Sequence, residues 1–358
     1  WLAIKPATDM ALLLAWMHVL IYENLYDKEY VELYGQGFDK LKEHVRGFTP
    51  EWAYGITTIK PEEIRKTARV MAEAAPAVIV HPGRHVTWYG DDLQRGRAVA
   101  LLNALLGSWG RRGGFYFKES LKIPSFPHPP YPEPKWGWHE IGENFPFAEM
   151  GITNEIIKAS IPGGNDKYPV KAWMVAGTNL LQSIPQTSVI EKAIENIEFL
   201  VVLDTMPMEI TGYADVVLPE CTYLERYDDL RSATNREPSV ALRMPVAPPK
   251  YDSKPAWWVA KQIGEKLGLK EYFNYTDYKE TLAWQLEQIG SSLEEMEKIG
   301  VKTFPRKSGS MYLKEGEKYT FGTPSGKIEF YSDQLAEKGF DPMPVYTPHP
   351  EPENGYYR

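Results

Sequence analysis

Two stretches decide the fold: "KAWMVAGTNLLQS" (171–183) and, a short way on, "FLVVLDTMPMEITGYADVVLP" (199–219). Each opens on a short apolar run, and each run stops abruptly at polar residues: Gly177, Thr178 and Asn179 in the first, Asp204 and Thr205 in the second. Continuous apolar runs of this length, without polar alternation, predict strands covered on both faces. We read strands at 170–177, 198–204 and 214–219, with a helix at 187–197. Strands alternating with helices predict parallel pairing and an α/β fold. In such sheets ligands bind beyond the carboxyl ends of the strands. The Gly-Thr-Asn turn could offer backbone N–H groups and a small hydroxyl to an anion, with a helix dipole behind them. A plain strand-to-helix turn has the same sequence. Asp204 could fix the hydroxyl or base donors of a nucleotide; equally, Asp204 and Asp215 could be turn and cap residues only.

Working outward, the first third alternates in the same way. Thr8 or Asp9 starts a helix through residue 23, a second helix is predicted at 27–45, and "KPEEIRKTARVMAEA" (60–74) carries Pro61 in its first turn. "AVIV" (77–80) reads as a buried strand, and "DDLQRGRAVALLNALLG" (91–107) as a helix that Gly107 would end. The connection between them, "HPGRHVTWYGDD" (81–92), is unusually furnished for a turn: Arg84, His85, Thr87, Trp88 and Tyr89 together. Residues 115–165, rich in Pro and aromatics, read as a long surface excursion. After the third strand comes polar loop to about residue 253, then helices at 255–268 and 275–289, a turn and strand in "GTPSGKIEFYS" (322–332) and a Pro-rich tail. His18 falls on an apolar helix and reads as a core histidine, while Arg111 and Arg112 read as surface charges.

Composition bounds the function. With 43% hydrophobic and 25% charged residues in 358, a sizeable core is available. The net charge of −8 argues against nucleic acid or an acidic membrane surface as the main partner. The longest apolar run, "ALLLAWMHVLIY" (11–22), is too short to span a bilayer and contains His18. The single cysteine, Cys221, excludes an internal disulfide and any cysteine-rich metal or iron–sulfur site within these residues. The chain opens on Trp1 almost directly into a helix, and we read it as a processed chain or internal segment.

Six pieces occur in a telling order: "ATDMALLLAWMHVLIYENLYDKEYV", "PEEIRKTARVMAEA", "GRAVALLNALLGSWGRRGGF", "KAWMVAGTNLLQS", "FLVVLDTMPMEITGYADVVLP" and "GTPSGKIEFYS". In that order they resemble the catalytic subunits of molybdopterin oxidoreductases of the dimethyl-sulfoxide-reductase type, over most of the chain. "GRHVTWYG" most resembles the branch that reduces polysulfide or thiosulfate. The resemblance implies two Rossmann-like α/β domains with mostly parallel sheets, within a larger four-domain fold. Residues 1–145 would belong to the first guanine-dinucleotide-binding domain, including the Pro/aromatic excursion, and 166–270 to the second. Residues 271–340 would return toward an N-terminal iron–sulfur region, and 341–358 would lead into a C-terminal β-barrel domain.

The implied cofactor is bis-(molybdopterin guanine dinucleotide) with molybdenum or tungsten, together with a [4Fe–4S] cluster and a metal-ligating residue from polypeptide outside this sequence; no metal ligand is assigned here. By position, Ala7, Thr8 and Asp9 match a segment, usually Gly-Thr-Asp, that contacts one guanine nucleotide. Gly177, Thr178, Asn179 and Ser183 match the loop around the second, where Leu180 departs from a frequent Pro. Asp204 and Thr205 match the strand end holding a guanosine, and Arg226 a basic residue near its phosphates. An acid is frequent just before Trp257, where Pro255 and Ala256 stand instead. Gly83, Arg84, His85 and Trp88 match the loop beneath the pterin and metal, with Arg84 as substrate clamp and His85 as proton donor. The resemblance further implies an iron–sulfur electron-transfer subunit and a quinone-linked membrane subunit as partners, a small sulfur-containing anion as substrate, and a peripheral place on the periplasmic face of the membrane. Competing expectations are a formate dehydrogenase or other oxyanion reductase on this scaffold, a cofactor-free electron-transfer homologue, and a generic sugar-nucleotide-binding α/β protein.

Overall fold

Ten of the fourteen residues of helix α1 (Asp9–Tyr22) are buried, on every side of the helix. A helix apolar all round must be surrounded, and α1 packs against α4 (Pro50–Thr57), α5 (Pro61–Ala74) and α6 (Asp92–Leu105). Met10, Leu14, Met17 and Leu20 meet Ala98, Leu102 and Leu105 of α6 in one buried cluster. His18 is tied by Nδ1 to the Val45 carbonyl oxygen at 2.9 Å and stacks on Tyr22, a structural role as expected. The computed structural model describes residues 1–83, 92–130, 146–147, 153–164, 169–307, 309–314 and 318–348. The chain divides into two compact units, one formed by Trp1–Glu119 with Lys307–Arg358, the other by Ser120–Arg306.

The helix expected at 27–45 is broken. Asp27 caps α2 (Lys28–Tyr34) by accepting from the Tyr30 amide at 3.0 Å. A two-residue strand β1 (Gly35–Gln36) follows, and α3 (Phe38–His44) starts afresh. Glycine explains the break. Gly37 sits at φ +79, and a Cβ on Gly35 would stand 2.5 Å from the Val31 carbonyl oxygen and 2.7 Å from the Phe330 ring. The buried strand expected at 77–80 does not form: these residues have no ladder partner among the described residues, and Ala77 and Ile79 are exposed. A side chain takes the partner's place: Val80 N donates to Asn103 Oδ1 at 2.9 Å, and Asn103 Nδ2 donates to Val80 O at 2.8 Å.

The second unit carries the parallel sheet. Helix α7 (Thr153–Lys158) precedes β2 (Ala172–Ala176), the one-turn helix α8 (Leu180–Ser183), α9 (Thr187–Asn196), β3 (Phe199–Asp204) and β4 (Val216–Pro219). The order is β2-β3-β4, all parallel, with Ala176 opposite Leu203 and Asp204 opposite Pro219. Leu200 and Val202 of β3 are buried against Ile190, Ala193 and Ile194 of α9. Asp215 pins the entry to the sheet, its Oδ2 accepting from Leu200 N at 2.7 Å and its N donating to Leu200 O at 2.9 Å.

The stretch expected as polar loop to residue 253 contains instead an antiparallel pair, β5 (Arg231–Ala233) and β6 (Ser239–Ala241). Beyond it come α10 (Ala256–Lys266), α11 (Tyr278–Gln288), α12 (Leu293–Ile299) and β7 (Val301–Thr303), which completes that sheet beside β6. Val240 and Leu242, two residues apart, are buried with Leu282, Leu286 and Met296. In the first unit, β8 (Ile328–Glu329) pairs in parallel with β1, and α13 (Asp333–Glu337) is capped by Ser332. The fold class is therefore α/β with parallel sheets. Among the described residues no helix is long and apolar enough to cross a membrane.

Candidate functional site

The carboxyl ends of β2, β3 and β4 lie side by side, and the residues that follow them gather at one edge. After β2, Gly177 turns the chain at φ +64 and its N donates to Leu203 O at 3.0 Å, which keeps the turn alongside β3. Thr178 Oγ1 and Ser183 Oγ are 3.3 Å apart. The helix directly behind this turn, α8, has only one turn, so the macrodipole expected there is small. Asn179 is buried, and its Nδ2 donates to Glu209 Oε2 at 2.5 Å.

At the end of β3, Asp204 Oδ1 accepts from Thr205 N at 2.7 Å and lies 3.4 Å from Thr205 Oγ1. Its second oxygen, Oδ2, is buried without a hydrogen-bond partner among the described residues, and so is Asn179 Oδ1. A buried acceptor left unmet costs about 1–3 kcal/mol. Two at one sheet edge could both be met by a ligand that brings donors.

After β4, Glu220 N donates to Asp204 O at 2.9 Å. The Glu220 side chain is 9% exposed, and its Oε1 accepts from Ala256 N, the first residue of α10, at 3.2 Å. Arg226 Nη1 bonds the same oxygen and also donates to Cys221 O at 2.7 Å, while its Nε donates to Asp228 Oδ1 at 2.7 Å. Arg243 holds the other Asp228 oxygen at 2.7 Å. Burial pushes the Glu220 carboxyl above the ordinary glutamate range, against the pull of Arg226 and the Ala256 amide, with the charges of Asp204 and Asp228 adding to the rise. Burial alone would lower the Arg226 guanidinium, but its bond to Asp228 and the charge of Glu220 outweigh that and raise it. Glu220, Arg226, Ala256, Trp257 and Tyr278 line a cleft of about 410 Å³. Arg226, expected near phosphates, is thus held on both sides by carboxylates.

The remaining candidates lie in the first unit. Ala7 adopts φ +61, a left-handed conformation that favours glycine, at the position where the resembled segment carries Gly. Thr8 is buried, and its hydroxyl donates to Lys5 O at 2.5 Å, so it holds the turn into α1. Asp9, the first residue of α1, is exposed. Gly83 is exposed at φ +67, its N donating to His81 Nδ1 at 2.9 Å. Arg84, His85 and Trp88 lie outside the described residues. Among the described residues no three His, Cys, Asp or Glu side chains cluster as a metal site. Cys221 is buried against Ser253, its Sγ 3.7 Å from the hydroxyl oxygen.

One sheet edge thus gathers Gly177, Thr178, Asn179, Ser183, Asp204, Thr205 and Arg226, all expected from sequence. Two of its residues were not expected. Glu220 stands at the end of its strand as Asp204 does, so the same strand-end rule would have found it. Glu209 carries no local signal.

The family model described as molybdopterin oxidoreductase matches residues 1–266. The chain belongs to the molybdopterin oxidoreductase family. Of its relatives, the molybdopterin-containing subunit of thiosulfate reductase from Salmonella typhimurium is 32% identical over 94% of this chain and 49% of its own length. Formate dehydrogenase H of Escherichia coli is 27% identical over 92% of the chain and 48% of its own length. The solved structure of acetylene hydratase from Pelobacter acetylenicus shares the fold, with a TM-score of 0.77 at 24% identity over 97% of the chain and 51% of its own length. This molybdopterin oxidoreductase chain therefore spans about half the length of the relatives it matches.

Proposed function

We propose that the chain is the catalytic-subunit segment of a bis-(molybdopterin guanine dinucleotide) molybdenum or tungsten oxidoreductase that reduces thiosulfate or polysulfide in anaerobic respiration. The observation that carries the cofactor reading is the pair of buried acceptors, Asn179 Oδ1 and Asp204 Oδ2, which have no partner among the described residues. A guanosine fits them, because its base edge and its ribose both offer N–H or O–H donors to oxygens that only accept. The substrate reading rests on the likeness to the thiosulfate reductase subunit. The formate dehydrogenase likeness supports a second reading, formate oxidation on the same scaffold.

The bound cofactor supplies the redox-active metal that exchanges electrons with the substrate. The chain's own residues bind, orient and protonate. Asp204, Asn179 and Thr205, with the Gly177–Thr178 turn and Ser183, would hold one nucleotide. Arg226 would act as a positioning residue, fixing the loop after β4 through Glu220 and Asp228. Asp9, at the start of α1 beside Ala7 and Thr8, would contact the other nucleotide. Gly83 and Trp88 would lie beneath the pterin. Arg84 would clamp an anionic sulfur substrate without titrating, and His85 would deliver a proton near neutral pH. With Cys221 buried and alone, the [4Fe–4S] cluster would be ligated by other polypeptide, and the working enzyme would include an iron–sulfur subunit and a quinone-linked membrane subunit on the periplasmic face.

The test is an anoxic purification of the whole enzyme. Reduced-viologen assays with thiosulfate, polysulfide and formate rank the substrates, and Arg84→Lys and His85→Ala are assayed at matched cofactor content. A fall of about 10²-fold or more in thiosulfate turnover for His85→Ala supports its role; wild-type rates in both variants would sink the loop assignment.

A further inference from the structure

The amide of Asn179 has two ends of opposite hydrogen-bonding character, and only its partners decide which way it points. Here the partner is unambiguous. Glu209 Oε2 lies 2.5 Å from the amide nitrogen, and a carboxylate accepts only, so the NH₂ must face Glu209 and Oδ1 must face away. Glu209 itself is held in place. It opens a short 3₁₀ turn, Glu209–Tyr213, anchored by buried Ile210 and by the Thr211 hydroxyl, which accepts from Met208 N at 2.8 Å. Asp204 is arranged on the same plan, with one oxygen committed to Thr205 and the other unmet. Each of the two side chains has one polar atom tied off and leaves one acceptor.

We propose that Glu209 is a positioning residue that sets the specificity of this edge. By fixing the Asn179 amide it makes the edge present two acceptors, which select a nucleotide portion carrying two N–H or O–H donors. The inference rests on the reading that a guanosine binds here. Were the amide turned over, the edge would offer one donor and one acceptor. That pattern suits the donor–acceptor edge of adenine instead. The donors that match two acceptors are the imino and amino groups of the guanine edge; the ribose diol, which GDP and ADP share, could give no preference between them. Both acceptors are buried, so a donor reaches them only where this edge opens locally.

The experiment is calorimetric titration of the full chain, purified free of cofactor, with GDP, IDP, 2′,3′-dideoxy-GDP and ADP. The wild type should prefer GDP to ADP, and should lose about tenfold in affinity for IDP, which lacks the amino donor, but not for dideoxy-GDP. Loss with dideoxy-GDP and not with IDP would place the ribose at this edge and overturn the inference. Glu209→Gln can donate to Asn179 Oδ1 and so releases the amide; the GDP-to-ADP preference should drop about tenfold at an unchanged melting temperature. The exchange variant Asn179→Asp with Glu209→Gln restores a donor facing a carboxylate and should restore the preference. It carries the test alone if Glu209→Gln fails to fold. An unchanged preference in Glu209→Gln, with Asp204→Ala still weakening GDP, overturns the inference and leaves the site reading standing. So does equal affinity for GDP, IDP and dideoxy-GDP. No GDP binding by the wild type overturns the site reading itself.

Discussion

In Asp204 one carboxylate oxygen closes the turn into Thr205, while the other is buried with no donor among the described residues. An acceptor left unmet in this way costs about 1–3 kcal/mol. Asp204→Ala should therefore leave the melting temperature unchanged or higher while weakening GDP binding about ten- to hundredfold; calorimetry and thermal unfolding check the two halves together. Ala7 makes a second residue-scale case. At φ +61 its Cβ costs about 1–2 kcal/mol, partly offset by the extra freedom a glycine gains when unfolded, so Ala7→Gly should stabilise by about 0.5–1 kcal/mol in urea titrations. Most of the carboxyl-edge residues were legible because strand ends announce themselves where apolar runs stop. Glu209 was not, because its role lies in pairing with Asn179, thirty positions away, and sequence spacing carries no trace of that contact.

At the scale of elements, apolar patterning was a good guide where neighbours supply what the pattern asks for. The three parallel strands fell within two residues of their expected places at either end, but the cover expected on both faces was not found for all of them: Leu200 and Val202 of β3 are buried against α9, while Met174 of β2 and Val216 and Val217 of β4 are exposed. Residues 77–80 have the same pattern and remain unpaired, with Asn103 of α6 meeting the Val80 N–H and C=O from a distance no periodicity reveals. Asn103→Leu would strip both groups of their partner, and we expect a loss of about 2–4 kcal/mol, read by chemical denaturation; hydrogen exchange at Val80 should rise at the same time. The β5–β6 pair hid in a charge-rich loop, where the alternation of Val240, Leu242 and Met244 was the only sign. The expected long helix at 27–45 failed at Gly35, which has no room for a side chain beneath Phe330, a residue almost three hundred positions on.

Over the whole molecule, acid stability should follow carboxylates whose ionised form the fold favours. Lys279 and Tyr227 donate to Glu297 and hold its carboxyl below the ordinary range, as Arg65 does for Glu51. Such groups add stability that is present above the unfolded value, about 4.3 for glutamate, and is lost as pH falls through the depressed folded value. Glu297→Gln should flatten that part of the stability–pH curve, measured by denaturant midpoints across the acid range. Glu220 has the opposite sign. Its raised value favours the protonated form, so its contribution is present below the unfolded value and fades as pH rises through the folded one.

Family membership follows from the match over residues 1–266. The central claim is that this chain holds guanine nucleotides of a metal-bearing pterin. It is tested most directly by counting GMP released on acid hydrolysis, alongside molybdenum and tungsten by mass spectrometry, in the anoxically purified enzyme. Two GMP for each metal atom are expected, with both lowered in Asp204→Ala. A wild-type enzyme that releases no GMP and carries neither metal would contradict it.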